Sequence, residues 1–168
     1  MTMPRINTSK TNHTPPRASA TWKYNKFTAS EKRQHATLIR AMRIIENRIK
    51  GYKPCEKAFE ALPGGKSFAE IWKDPDVWLH YDPEFKKGKY GARRRGTKDI
   101  TISAYAFRGG DHWTVAATLI HELAHVNGAP GNDTQAEDTL KSCLLHKLHD
   151  PTIIGQVGQP TQRKQAYA

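Results

Sequence analysis

The chain has 168 residues, 27 of them Lys or Arg against 16 Asp or Glu, a formal net charge of +11, and 37% apolar residues. That length suits one domain with a modest core, and no apolar run approaches the roughly 18 residues that a membrane-spanning helix needs. Two cysteines, Cys55 and Cys143, are too few for a disulfide framework and lack the spacing of a zinc knuckle.

Residues 1–27 hold Pro4, Pro15, Pro16 and many small polar residues, and read as a flexible arm. Ser30 can cap a helix running to about Lys50, closed by Gly51, with Leu38, Met42, Ile45 and Ile49 as its buried stripe. Shorter helices follow at 56–62 and 67–72, separated by Pro63, Gly64 and Gly65. Trp72 and Trp78 flank Asp74-Pro75-Asp76 and read as core anchors. A strand is expected over 77–81.

The segment from Lys86 to Lys98 carries seven basic residues and no acidic one, and Gly88, Gly91 and Gly96 make it a mobile loop. Such a loop suits an anionic partner: cell wall, nucleic acid or an acidic protein. Residues 100–107 alternate as a half-buried strand, with Ile100, Ile102, Ala104 and Ala106 on one face. A helix from Asp111, its N-cap, to Gly128, its C′ residue, has Val115, Leu119, Ile120, Leu123 and Val126 as an apolar stripe. Gly128, Pro130 and Gly131 then reverse the chain, and a second helix runs antiparallel from Thr134 to about Leu148. There Cys143, beside Leu140 and Leu144, reads as a buried reduced thiol. Residues 155–168 read as a flexible tail, and no internal repeat appears.

The chemistry lies in His121-Glu122-Leu123-Ala124-His125. With 8 histidines in the chain, a HExxH string arises by chance with a probability of roughly 2%. Histidines four apart share a helix face and reach one metal ion. Zinc lowers the pKa of a bound water to about 7, and the glutamate beside it can take the proton. Catalytic zinc takes three protein ligands. Glu137 is the candidate third, because spacings of three, seven and eleven to Leu140, Leu144 and Leu148 put it on the apolar face. Glu137 also suits a capping box with Thr134, and Asp133 is the rival ligand. Tyr105, His112, His146 and His149 are candidates for stabilising an oxyanion.

HELAH within a helix resembles the zincin metallopeptidases over about residues 100–150. A third histidine six residues after His125 would fall on Gly131, so the metzincin pattern is not met. The chain looks more like gluzincins if Glu137 is the ligand, or aspzincins if Asp133 is. The stretch after the motif, from Gly128 to Cys143, also resembles metallopeptidase domains of bacterial polymorphic toxins and secreted effectors, which implies delivery into another cell and a cognate immunity protein. In zincins the strand before the active-site helix pairs with extended substrate; here that would be residues 100–107.

The expectation is therefore a compact α+β, zincin-like domain over 28–154: N-terminal helices, a small mixed sheet, the HExxH helix and an antiparallel C-terminal helix. Its activity would be zinc-dependent endopeptidase cleavage of a protein or peptide, with Glu122 as base and His121, His125 and Glu137 holding Zn²⁺. Peptidoglycan peptides and DNA-bound proteins are the alternative substrates. The latter are cut by basic SprT-like proteases, whose third histidine has no evident counterpart here. Outside enzymology the rival is a basic nucleic-acid-binding module. No apolar leader heads the chain, so synthesis in the cytoplasm and, for export or delivery to a target cell, a leaderless route are expected.

Overall fold

Alternation in two short strands sets the architecture. In the computed structural model, which describes residues 3–15, 22–131 and 134–144, β2 (Trp78–Asp82) and β4 (Asp99–Ser103) pair in parallel, Leu79 beside Ile100 and Tyr81 beside Ile102. These four side chains share one sheet face, because successive residues of a strand point to opposite faces. They enter a single apolar core with the helices. The other face carries Trp78, His80, Asp82, Asp99, Thr101 and Ser103, and all but Trp78 are buried as well.

Among the described residues the sheet has four strands, in the order β1-β2-β4-β3. β1 (Arg5–Ile6) adds in parallel to β2, and β3 (Gly91–Arg93) adds antiparallel to β4. The flexible arm expected over 1–27 is thus corrected in its described part. Arg5 and Asn7 donate backbone hydrogen bonds to Val77 and Leu79, and Asn25 bridges Tyr81. This arm covers the polar sheet face, which leaves β4 buried along its whole length. A two-residue strand has no periodicity to read, so composition alone misleads there.

Helices line the apolar face. α1 (Lys32–Ile44) continues into a π-helical turn at Ile45–Ile49 and ends at Gly51, whose φ of 81° suits glycine. Leu38, Met42, Ile45 and Ile49 are buried as the spacing requires. Its cap is Thr28, not Ser30: Thr28 and Glu31 form a capping box around a short 3₁₀ turn. α2 (Lys53–Glu60) and α3 (Phe68–Trp72) follow, α3 capped by Ser67 with Glu70. Trp72 is a core anchor, its indole N–H donating to Glu46 at 2.7 Å. Trp78 is half-buried and stacks on His13 instead, with ring centres 4.1 Å apart.

α4 (His112–Val126) packs against α1, β3, β4 and α5 (Gln135–Leu144). Between β4 and α4 the chain forms a 3₁₀ segment, Ala104–Gly110, so the strand expected over 100–107 stops at Ser103. Cys55 on α2 and Cys143 on α5 are joined by a disulfide, which corrects the reduced thiol expected at Cys143. No described helix is long and apolar enough to cross a membrane. The expected tail, 155–168, lies outside the described residues.

Candidate metal centre on the HExxH helix

Both ends of α4 form where local chemistry dictates. The Asp111 carboxylate accepts from the backbone N–H of Trp113 at 2.9 Å and Thr114 at 3.4 Å, satisfying donors that the first helical turn leaves over. At the other end Gly128, with φ of 93°, bends the chain, and the N–H groups of Gly128 and Ala129 return to the carbonyls of His125 and Ala124. Asn127 fastens this end to the loop after α2: its amide nitrogen donates to the carbonyls of Phe59 at 2.8 Å and Lys66 at 2.7 Å. The helix bearing the motif is thus capped at both ends and tied at its C-terminal end to Phe59 of α2 and to Lys66.

Within it, His121, Glu122 and His125 are all buried. The His125 Nδ1 hydrogen points to the Ala129 carbonyl, 2.8 Å away, which leaves Nε2 as the lone-pair nitrogen. That Nε2 lies 3.0 Å from Nε2 of His121. Two nitrogens bound tetrahedrally to one zinc at about 2.0–2.1 Å would stand about 3.3 Å apart, so this pair is close to a ligating arrangement. Burial pushes the His125 pKa down, against the opposing pull of Glu122, and favours the neutral imidazole that a metal requires.

α5 brings in the acid. Glu137 is 3% exposed, with Oε1 2.8 Å from Nδ1 of His121. Despite that proximity neither carboxylate oxygen accepts an aligned hydrogen bond. Without a cation, a buried carboxylate and two facing imidazole nitrogens form a costly cluster; a divalent ion would compensate them. Two imidazoles and a carboxylate are residue types that suit zinc, but here Glu137 sits on the Nδ1 side of His121, so its carboxylate does not face the point shared by the two Nε2 atoms. Asp138 is exposed and meets Lys141, as its place on the outer face of α5 predicts. The rival ligand Asp133, and His146 and His149, lie outside the described residues.

Of the other oxyanion candidates, His112 opens α4. Nine residues of helix, about 13 Å, separate it from His121. Tyr105 is buried and its hydroxyl accepts from Arg108. Neither is brought to the motif by these contacts.

Sequence reasoning missed the strand that is. β4 has neighbours on both sides, so the sheet edge beside α4 is β3, drawn from within the segment read as a mobile basic loop. Basic groups there are tied down: Lys89 to Asp82 at 2.7 Å, Lys98 to Asp74 at 2.7 Å, and Arg94 over the Trp22 ring. Gly91 shows how near the strand runs to the helix. A Cβ there would stand 2.8 Å from the Thr101 carbonyl oxygen, 2.8 Å from the Thr118 methyl and 3.5 Å from Oε1 of Glu122. Gly91→Ala is therefore expected to push β3 off α4, at about 1–3 kcal/mol of overpacking. A thermal melt showing unchanged stability together with undiminished zinc binding would contradict that close approach.

A second cluster went unforeseen because its parts come from three distant segments. Asp99 Oδ1 lies 2.8 Å from Nε2 of both His13 and His80, and these three could hold a metal. Hydrogen bonds already account for them, however. The Asn7 amide donates to Nδ1 of His80 at 2.9 Å, so the His80 proton sits on Nε2 and points at Asp99. Burial pushes the His80 pKa down against the pull of Asp99, and this cluster reads as the polar seam fastening the N-terminal arm to the sheet. Comparison with known proteins adds no relative: no family profile, no curated protein and no solved structure matches this chain.

Proposed function

We propose that this chain is a zinc-dependent peptide-bond hydrolase of zincin-like design. The observation that carries the reading is the pair of buried imidazole nitrogens, His121 Nε2 and His125 Nε2, 3.0 Å apart on the helix turn that also carries the buried Glu122. His121 and His125 would hold the ion through Nε2, and Glu137, which lies against Nδ1 of His121, would turn from that nitrogen to serve as the acidic ligand. When bound, zinc makes water a nucleophile at neutral pH. Glu122 would hold a water by its hydrogen, take up the proton, and return it to the leaving amine. The Ala129 carbonyl fixes the His125 ring and its tautomer. An extended peptide can add to the outer edge of β3 through backbone hydrogen bonds, and Gly91 would then put it beside Glu122.

The Cys55–Cys143 disulfide favours work in an oxidising compartment, which accords with a secreted or delivered effector more than with a cytosolic enzyme. No described residue points to peptidoglycan or to DNA-bound protein in preference to unfolded protein.

Metal analysis together with a cleavage assay tests this. The purified chain should carry stoichiometric zinc, lose it on chelation or in His121→Ala, and cleave denatured protein only when loaded. Peptidoglycan and DNA-coated protein serve as parallel substrates. A chain that stays metal-free when supplied with zinc, and binds DNA with steep salt dependence, would instead be a basic binding module.

A further inference from the structure

Arg93 is the most unusual charge near the site. Gly91 and Arg93 pair with Ile102 and Ile100, whose side chains face the helices, so both positions address the side of the sheet where α4 lies. Gly91 abuts Thr118 and Glu122. Arg93 is half-buried two residues along, and among the described residues its guanidinium makes no ion pair or hydrogen bond of its own. Burial presses its pKa down, the Glu122 charge opposes that, and Arg95 adds to it. A desolvated guanidinium with no bound carboxylate is costly to keep, and its planar fork matches a carboxylate with two parallel hydrogen bonds.

Substrate geometry says where that carboxylate would come from. A peptide extended along the outer edge of β3 presents one residue opposite Gly91 and another, two positions along, opposite Arg93. Both would project on the α4 side, because strand residues alternate with a period of two. Resting on the hydrolase reading above, we infer that Arg93 selects substrates with an acidic side chain two residues from the one lying opposite Gly91 at Glu122. The edge supplies sequence-independent grip, and Arg93 supplies the choice.

The test profiles zinc-loaded protein on a mixed peptide library by mass spectrometry. Asp and Glu should be enriched at one fixed position on one side of the cleaved bond. Arg93→Gln should lose that enrichment with KM raised more than kcat is lowered, Arg93→Lys should keep part of it, and Arg93→Glu should shift it towards Lys and Arg. A binding arm does not depend on turnover. In a Glu122→Gln background, a fluorescein-labelled peptide carrying the preferred site should bind roughly tenfold more tightly with Glu than with Gln at that position, and Arg93→Gln should abolish the difference.

If wild-type protein cleaves without acidic preference, or the preference survives in Arg93→Gln, Arg93 has no selective role and the hydrolase reading stands. A variant that changes only the pH profile of kcat makes Arg93 a counter-ion to Glu122 and overturns the inference. If the zinc-loaded wild type cleaves nothing, the hydrolase reading fails and takes this inference with it.

Discussion

Replacing Glu122 by Gln or Ala should reduce cleavage by about a thousandfold, the middle of the range for a positioned acid–base group, while zinc remains bound. Glu122 is completely buried on the helix turn that carries His121 and His125, and it lies close to Gly91 of the edge strand. A carboxylate in that position has lost most of its hydration, and a purely structural design would not favour it. Glu122→Gln keeps the shape and removes both the charge and the basicity. Its melting temperature should therefore be equal to or above that of the wild type, the usual sign of a residue kept for chemistry at some cost in stability. Zinc content, turnover and melting temperature measured together separate the possibilities. Wild-type turnover in Glu122→Gln would remove the assignment of this residue as base; lost zinc would make it a ligand or a ligand support.

The parts of this site that could be read from sequence are those specified locally. Asp111 and Gly128 bound α4 because capping and left-handed turns depend on a few adjacent residues, and both do what their side chains predict. Glu137 is buried on α5 with Leu140 and Leu144, since helical spacing alone puts them on one face. The parts that could not be read depend on distant pairing. β3 is only Gly-Ala-Arg, too short to alternate, and becomes a strand because β4 offers it an edge. The polar face of β4 looked solvent-facing because its cover comes from residues nearly a hundred positions earlier. His13 and His80 meet Asp99 for the same reason.

β3 also changes what the basic segment means. Read as a mobile loop, its charges would act through a diffuse field, attracting any polyanion and fading with salt. Held as an edge strand with Lys89 and Lys98 engaged by acids, it instead presents Arg93 at a defined position in the register of the sheet. Position, more than net charge, is what allows discrimination between substrates.

Reduction of the Cys55–Cys143 disulfide, or its replacement by two alanines, should lower stability by about 4–5 kcal/mol, on the loop-closure entropy of a cross-link spanning 88 residues. For a domain of this size that is a fall of roughly 10–18 °C in melting temperature. A functional effect should accompany it. The bond joins α2 to the end of α5, and Glu137 lies six residues earlier on the same helix, about 9 Å away. With the staple gone, α5 loses its covalent tie to α2, so the carboxylate should spend more time away from His121. Zinc affinity should then fall together with stability, and added zinc should recover part of the lost melting temperature, because a metal bound only by the folded state stabilises it. Competition with a chromogenic chelator in oxidised and reduced protein reads the affinity directly. If reduction lowers the melting temperature while zinc affinity stays the same, α5 keeps its place without the disulfide, and the bond serves stability alone.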